Sequence, residues 1–261
     1  MFTFLENYKQ VLLKYPQFQT LPALFDECDM AVATNYGMYD FPEYEFHNNE
    51  YYPVFFIRMI KYLLDFMAKE QSPIQFATTW AFYFEGKRFF EGNRALFTNK
   101  NIRNPIFNAF VMLEMLGGKR LQLTSKNSEN HKFDHFPRID GIASIHENQS
   151  IQIIIWNFDE SNINVENKRI SLQINDLPFS SDSISLKKYQ IDSQNSNAYA
   201  KWKELGSPKD PMPEEIELIK KSECLALIEQ RKIDQPPGNS LLLNFDLPGQ
   251  SVSLIRVEPL L

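Results

Sequence analysis

Apolar residues at the start of the chain recur at three- and four-residue intervals, at Phe4, Leu5, Tyr8, Val11, Leu12 and Tyr15. That spacing lines one face of a short helix, and Pro16 stops it. The pattern then shortens: TLPALFDE reads as a buried strand, and ATNYGMYDFPEYEFHNNE, broken by Gly37 and Pro42, reads as a long polar and aromatic loop. Loops of that length are often functional. YYPVFFIRMIKYLLDFMAK is apolar over more than half its circumference, as expected of a helix packed against a sheet. SPIQFATTWAFYF follows as a second strand and EGKRFFEGNRALFTNKNIRN as a second loop. PIFNAFVMLEML is then a helix with Pro105 in its first turn and Gly117 and Gly118 beyond its end. The alternation is α/β, with the long loops at the carboxyl ends of the strands.

After Lys119 the pattern changes. GIASIHE, SIQIIIWNF, KRISLQIND, ISLKKYQID, SLLLNFDL and SVSLIRV are short alternating or β-branched runs separated by polar turns, which predicts a β-sandwich. Between two of these runs lies a mostly helical insertion near residues 195–230, with two Pro-rich turns. The expected organisation is therefore an α/β segment over 1–118 and an all-β domain over 119–261.

Composition narrows the function classes. The chain has 261 residues, 43% hydrophobic, with 22 Phe, enough for a sizeable core. A formal charge of -6 without a long basic run argues against nucleic acid as a partner. No apolar run approaches membrane-spanning length, and the N-terminus lacks the pattern of a signal peptide, so no membrane partner is expected. Cys28 and Cys224 match no metal or redox spacing. The histidines do no better: His131 and His135 are four apart, but in a Pro-containing stretch without helical pattern, so no metal site is indicated. Nucleophilic-serine and phosphate-loop motifs are absent, and no cofactor is expected.

FDECD is the chemically unusual stretch. Asp26, Glu27 and Asp29 crowd carboxylates at the end of a buried strand, where repulsion and desolvation oppose them. A solvated turn is one account. Several other segments bear on the choice: NIRNPIFNAFVMLEMLG, IQIIIWNF, the run Asn195, Ser196, Asn197, Tyr199, Trp202, Gly206, Ser207 and Pro208, and the closing LLLNFDLPGQSVSLIRVEP. Together and in this order they resemble glycoside hydrolase family 39, the β-xylosidases and α-L-iduronidases, over nearly the whole chain.

The resemblance implies the last units of a (β/α)8 TIM barrel, about two βα units, followed by a β-sandwich. Members carry the catalytic nucleophile in a Thr-Glu-Trp-Asn or Asp-Glu-Ala-Asp context on the seventh barrel strand, and Glu27 matches that glutamate. A retaining glycosidase needs a second carboxylate about 5 Å away as acid/base. The family keeps it in an Asn-Glu pair before the nucleophile; the one such pair here, Asn49 and Glu50, follows Glu27, so the acid/base glutamate is expected to be missing from this chain. Trp80 and Phe82 match an aromatic stretch on the family's eighth strand and are candidate sugar platforms, with core packing as the plainer account. Glu85, for which an exposed loop acid is the plainer account, and Asp29 are further candidate substrate contacts. Arg94 matches the arginine with which iduronidase-like members recognise a sugar carboxylate, the alternative being a loop arginine in solvent. The implied partners are a carbohydrate substrate and a separately encoded N-terminal barrel portion. The alternative is an inactive truncated relic or a non-catalytic carbohydrate-associated β-sandwich module.

Overall fold

In the computed structural model the described residues are 2–28, 36–79, 82–83, 88–126, 137–162, 164–179, 181, 183–234 and 239–260. Helix α1 (Phe2–Lys14) leads to strand β1 (Ala23–Phe25), helix α2 (Tyr51–Glu70), strand β2 (Ile74–Ala77) and helix α3 (Pro105–Glu114). Their order is the expected one, but β1 is not the buried strand the sequence suggests, since of its three residues only Phe25 is buried. The loop before α2 is more ordered than its composition suggests, because Pro42–His47 winds into a 3-10 helix.

Strands β1 and β2 pair in parallel, with Leu24 opposite Phe76 and Phe25 opposite Ala77. One face of this pair is covered: Phe25 and Ile74 pack with Leu5 of α1 and Leu63 of α2. The other is bare. Leu24 is 56% exposed and Phe76 63%.

The remaining strands are β3 (Lys119–Leu121), β4 (Ile139–Ile145), β5 (Ile151–Asn157), β6 (Lys168–Ile174), β7 (Ser183–Ile191), β8 (Ala226–Asp234), β9 (Leu241–Leu247) and β10 (Ser251–Pro259). Six of them form an antiparallel sheet in the order β3-β4-β5-β10-β7-β8, and β6 pairs with β9 in a second sheet. Strand β5 explains the apolar run Ile153, Ile154, Ile155, Trp156: every residue of the strand is buried, because the sheet is covered on both faces. Ile154 and Trp156 meet α2 and α3 through Tyr52, Phe56, Ile106 and Met112. Ile153 and Ile155 meet Leu172, Leu241 and Leu243 of the β6-β9 sheet. The large sheet is thus the middle of three layers, and α2 and α3 share its core.

One further expectation needs correction, and one strand was not anticipated. The helical insertion ends early: helices α4 (Ala198–Glu204) and α5 (Pro213–Lys221) form, but Ala226–Asp234 is the edge strand β8. Most of its side chains face solvent, so Glu229, Gln230, Arg231 and Lys232 carry the polarity of a protected edge and hide the strand pattern. Strand β3 is too short, at three residues, to show a period.

Polar groups join the α/β part to the sheets. Asn108, fully buried on α3, donates to the carbonyls of Ser196 (3.1 Å) and Glu223 (3.0 Å). Asn197 caps α4 by accepting from the Ala200 N–H at 3.0 Å, and donates to Glu50 at 3.0 Å. Trp202 Nε1 donates to the Pro208 carbonyl at 2.9 Å. The Asn197, Tyr199, Trp202 and Pro208 run that carried the resemblance is therefore scaffold: it caps, anchors and joins.

Candidate functional site

Parallel pairing runs past the ends of β1 and β2, with the Thr78 N–H donating to the Phe25 carbonyl (2.9 Å) and the Cys28 N–H to the Thr78 carbonyl (2.6 Å). Glu27 sits in this extension with φ of 51°, left-handed backbone that costs a residue other than glycine roughly 1 kcal/mol or more. Its conformation is held locally. The Thr78 hydroxyl donates to Asp26 Oδ1 at 2.6 Å, and the Glu27 N–H points to Asp26 Oδ1 (3.1 Å) and Thr78 Oγ1 (3.3 Å). Asp26 is thus occupied as an acceptor, while the Glu27 side chain, 47% exposed, is open to solvent.

Arg94 lies behind it. The side chain is 2% exposed, and Nη2 approaches Glu27 Oε2 at 3.4 Å, a long ion pair. A solvent-exposed loop arginine, one of the two accounts open from the sequence, does not hold. Phe82 is 68% exposed, so it is not a core residue; its ring lies 4.9 Å from that of Phe97, and Tyr83 and Phe97 form an isolated parallel bridge. Asp29, Trp80 and Glu85 lie outside the described residues, as do His131 and His135. Among the described residues no group of three His, Cys, Asp or Glu side chains is arranged to hold a metal ion, and no helix is long and apolar enough to cross a membrane.

The arrangement offers a solvent-accessible carboxylate at the carboxyl end of a parallel strand, oriented by a buried guanidinium, with an exposed aromatic ring on the strand-following segment. Such an end is where α/β folds place their chemistry. Glu50 does something else. Burial pushes its carboxyl above the usual range, against the hydrogen bond from Asn197 and with Asp192 and Glu45 adding to the rise, and it sits at the junction with the antiparallel sheets.

Residues 2–230 match the family described as Glycosyl hydrolases family 39. The chain belongs to that family. A β-xylosidase of Caldicellulosiruptor saccharolyticus is 27% identical over 218 residues, covering 83% of this chain and 41% of that protein. One of Geobacillus stearothermophilus is 24% identical over 172 residues, covering 66% of this chain and 30% of the relative. The solved bacterial orthologue of human α-L-iduronidase superposes with a TM-score of 0.77 at 15% identity, over 97% of this chain and 44% of that one. This family 39 chain spans less than half the length of each of these three relatives.

Sequence reasoning reached Glu27 and Arg94 separately; it did not pair them. It missed Asp26 and Thr78 as a device fixing Glu27, and it missed His47 and Asn48, both buried beside the loop that carries Arg94. The signal for the last two was present as adjacent polar residues inside an aromatic-rich stretch.

Proposed function

We propose that this chain is the C-terminal portion of a retaining glycoside hydrolase, with Glu27 as the nucleophile that attacks the anomeric carbon. The observation that carries this reading is Glu27 at the carboxyl end of β1, half-exposed and paired to the buried Arg94. The attack displaces the aglycone oxygen, which takes a proton from a second carboxyl group; water then opens the glycosyl-enzyme ester with that group as base. The second carboxylate comes from elsewhere, since Glu50 is engaged with Asn197. In this reading residues 1–118 are the last two βα units of an eight-stranded barrel and 119–261 a β-sandwich. The bare face of Leu24 and Phe76 and the open edges of β1 and β2 receive the polypeptide that supplies the other strands.

A β-xyloside is the first substrate to test, because both curated relatives described above are β-xylosidases. Arg94 favours an α-L-iduronide as the second, through its guanidinium, although its burial suits support of Glu27 better than capture of a sugar carboxylate.

The test is turnover of aryl β-xyloside and aryl α-L-iduronide by the chain alone and joined with the polypeptide completing the barrel. Turnover is expected in the joined form, falling on the order of 10³-fold or more in Glu27→Gln. A folded, joined form that is inactive on both, or unaffected by Glu27→Gln, overturns the reading in favour of a non-catalytic carbohydrate-associated module.

A further inference from the structure

The loop around Arg94 belongs to no helix or sheet, yet its guanidinium must sit within about an ångström of one place to meet Glu27. Its restraints are buried side chains. His47 Nδ1 lies 2.8 Å from the Gly92 carbonyl, and the Gly92 N–H donates to Asn48 Oδ1 at 3.1 Å. Because a carbonyl only accepts, Nδ1 must carry the imidazole proton, which fixes the tautomer. His47 is 0% and Asn48 1% exposed. Two adjacent polar side chains, both removed from water, thus hold both backbone groups of one residue, two positions before Arg94.

The backbone geometry agrees. Gly92 has φ of +75°, and a Cβ there would lie 2.9 Å from Met38 N and Cβ. The Met38 N–H donates to the Glu91 carbonyl at 2.7 Å. Beyond Arg94, the Asn104 side chain donates to the Ala95 carbonyl at 2.8 Å and its N–H to Leu96 at 2.9 Å. The grip also has a rigid reference: His47 and Asn48 lie just before α2, whose Tyr51, Tyr52 and Phe56 are packed in the core against the large sheet. Burying such groups without their partners costs roughly 1–3 kcal/mol each, so filling space alone would favour apolar residues here.

We propose that His47 and Asn48 are positioning residues that grip Gly92 and thereby place Arg94 against Glu27, linking the core of the molecule to the nucleophile. The proposal rests on the reading of Glu27 as nucleophile for its functional meaning, but its geometry is testable without turnover. Burial holds the His47 pKa down at about 4, against its hydrogen bond to Gly92 and with the Arg94 charge assisting, so the Nδ1–H donor persists as the neutral form across ordinary pH.

Solvent exchange of the Arg94 guanidinium protons in the full chain, followed by nitrogen-15 spectroscopy and assigned by their loss in Arg94→Lys, reads the grip directly. His47→Leu is expected to speed that exchange about tenfold or more while the Trp156 and Trp202 indole signals stay in place; His47→Asn, whose amide N–H stands at the same distance from Cβ as Nδ1, restores protection. Unchanged exchange in His47→Leu overturns the proposal, as does equal loss in the Leu and Asn variants. If His47→Leu does not fold, Asn48→Ala against Asn48→Asp, which retains the acceptor, is judged by the same two outcomes. Intact protection in His47→Leu would sink the grip and leave Glu27 standing; turnover insensitive to Glu27→Gln would do the reverse.

Discussion

The six-stranded antiparallel sheet and the two-stranded parallel sheet face the same requirement, removing apolar side chains from water, and meet it to different degrees. The large sheet has α2 and α3 on one side and β6-β9 on the other, so Ile154, Leu254 and Val252 are all 0% exposed. Among the described residues the parallel pair has helices on one side only. Leu24 and Phe76 stand opposite each other on the uncovered side, and parallel sheets are found almost only with both faces covered. Stability is thus concentrated where there is no candidate chemistry, and Glu27 projects from the less complete sheet. The small sheet is tied to the stable layer by α2, which helps cover one face of it and packs on the large sheet through another face.

The strongest way to break this contrast is to remove the large sheet's core. Trp156 is fully buried between β5 and the helices, and Trp156→Ala should cost about 3–5 kcal/mol, read as a drop in the urea midpoint. A loss below about 1 kcal/mol would mean that the helices do not depend on that sheet.

Acid provides the next largest effect and acts at the junction of the two regions. His47 is neutral in the fold, with a pKa near 4 against an ordinary 6.5, so its contribution is complete above pH 6.5 and is lost as the unfolded chain takes up a proton below that value. Between pH 7 and pH 4 this amounts to about 3 kcal/mol, and His47→Gln should remove that part of the acid limb in denaturation curves. Asn108→Leu should cost somewhat less, about 2 kcal/mol, by leaving the Ser196 and Glu223 carbonyls without their donor. Chemical denaturation of that variant checks whether α3 is tied to the α4-α5 insertion by this one side chain.

Legibility in the sequence followed the same division. Helix α2 announced itself as a long segment apolar over more than half its circumference, strand β5 as a short β-branched run buried at every residue, and Pro105 marked the start of α3. Strand β8 did not, because an edge strand with solvent on most of its residues loses the alternation that betrays a half-buried one. At the site, Glu27 was visible as a carboxylate out of place after an apolar strand. The grip on Gly92 was not, because His47 and Gly92 are 45 positions apart and no period connects them. Arg94 was visible as a residue type but not as a buried one: the sequence around it, Glu91, Gly92 and Asn93, has the polarity of a solvated loop, whereas in the fold Gly37, Met38 and Tyr44 pack against Glu91 and Gly92, and Arg94 is buried.

The smallest effect on stability is expected where the two regions differ most. Replacing Leu24 and Phe76 together by Ser should change the chain's unfolding free energy by no more than about 0.5–1 kcal/mol, since both are already more than half exposed and little burial is lost. Under the reading proposed above, the same double substitution should weaken association with the polypeptide proposed to complete the barrel by about tenfold or more, because the two side chains together present apolar area that would be fully covered in a closed parallel sheet. Calorimetric titration and thermal unfolding on the same samples separate the two quantities. A large stability loss would show that the face is covered within this chain, and unchanged association would show that the completing strands dock elsewhere. Weakened association with intact stability is the outcome that ties the bare face of β1 and β2 to the role proposed for Glu27, because Glu27 follows directly on the strand that carries Leu24.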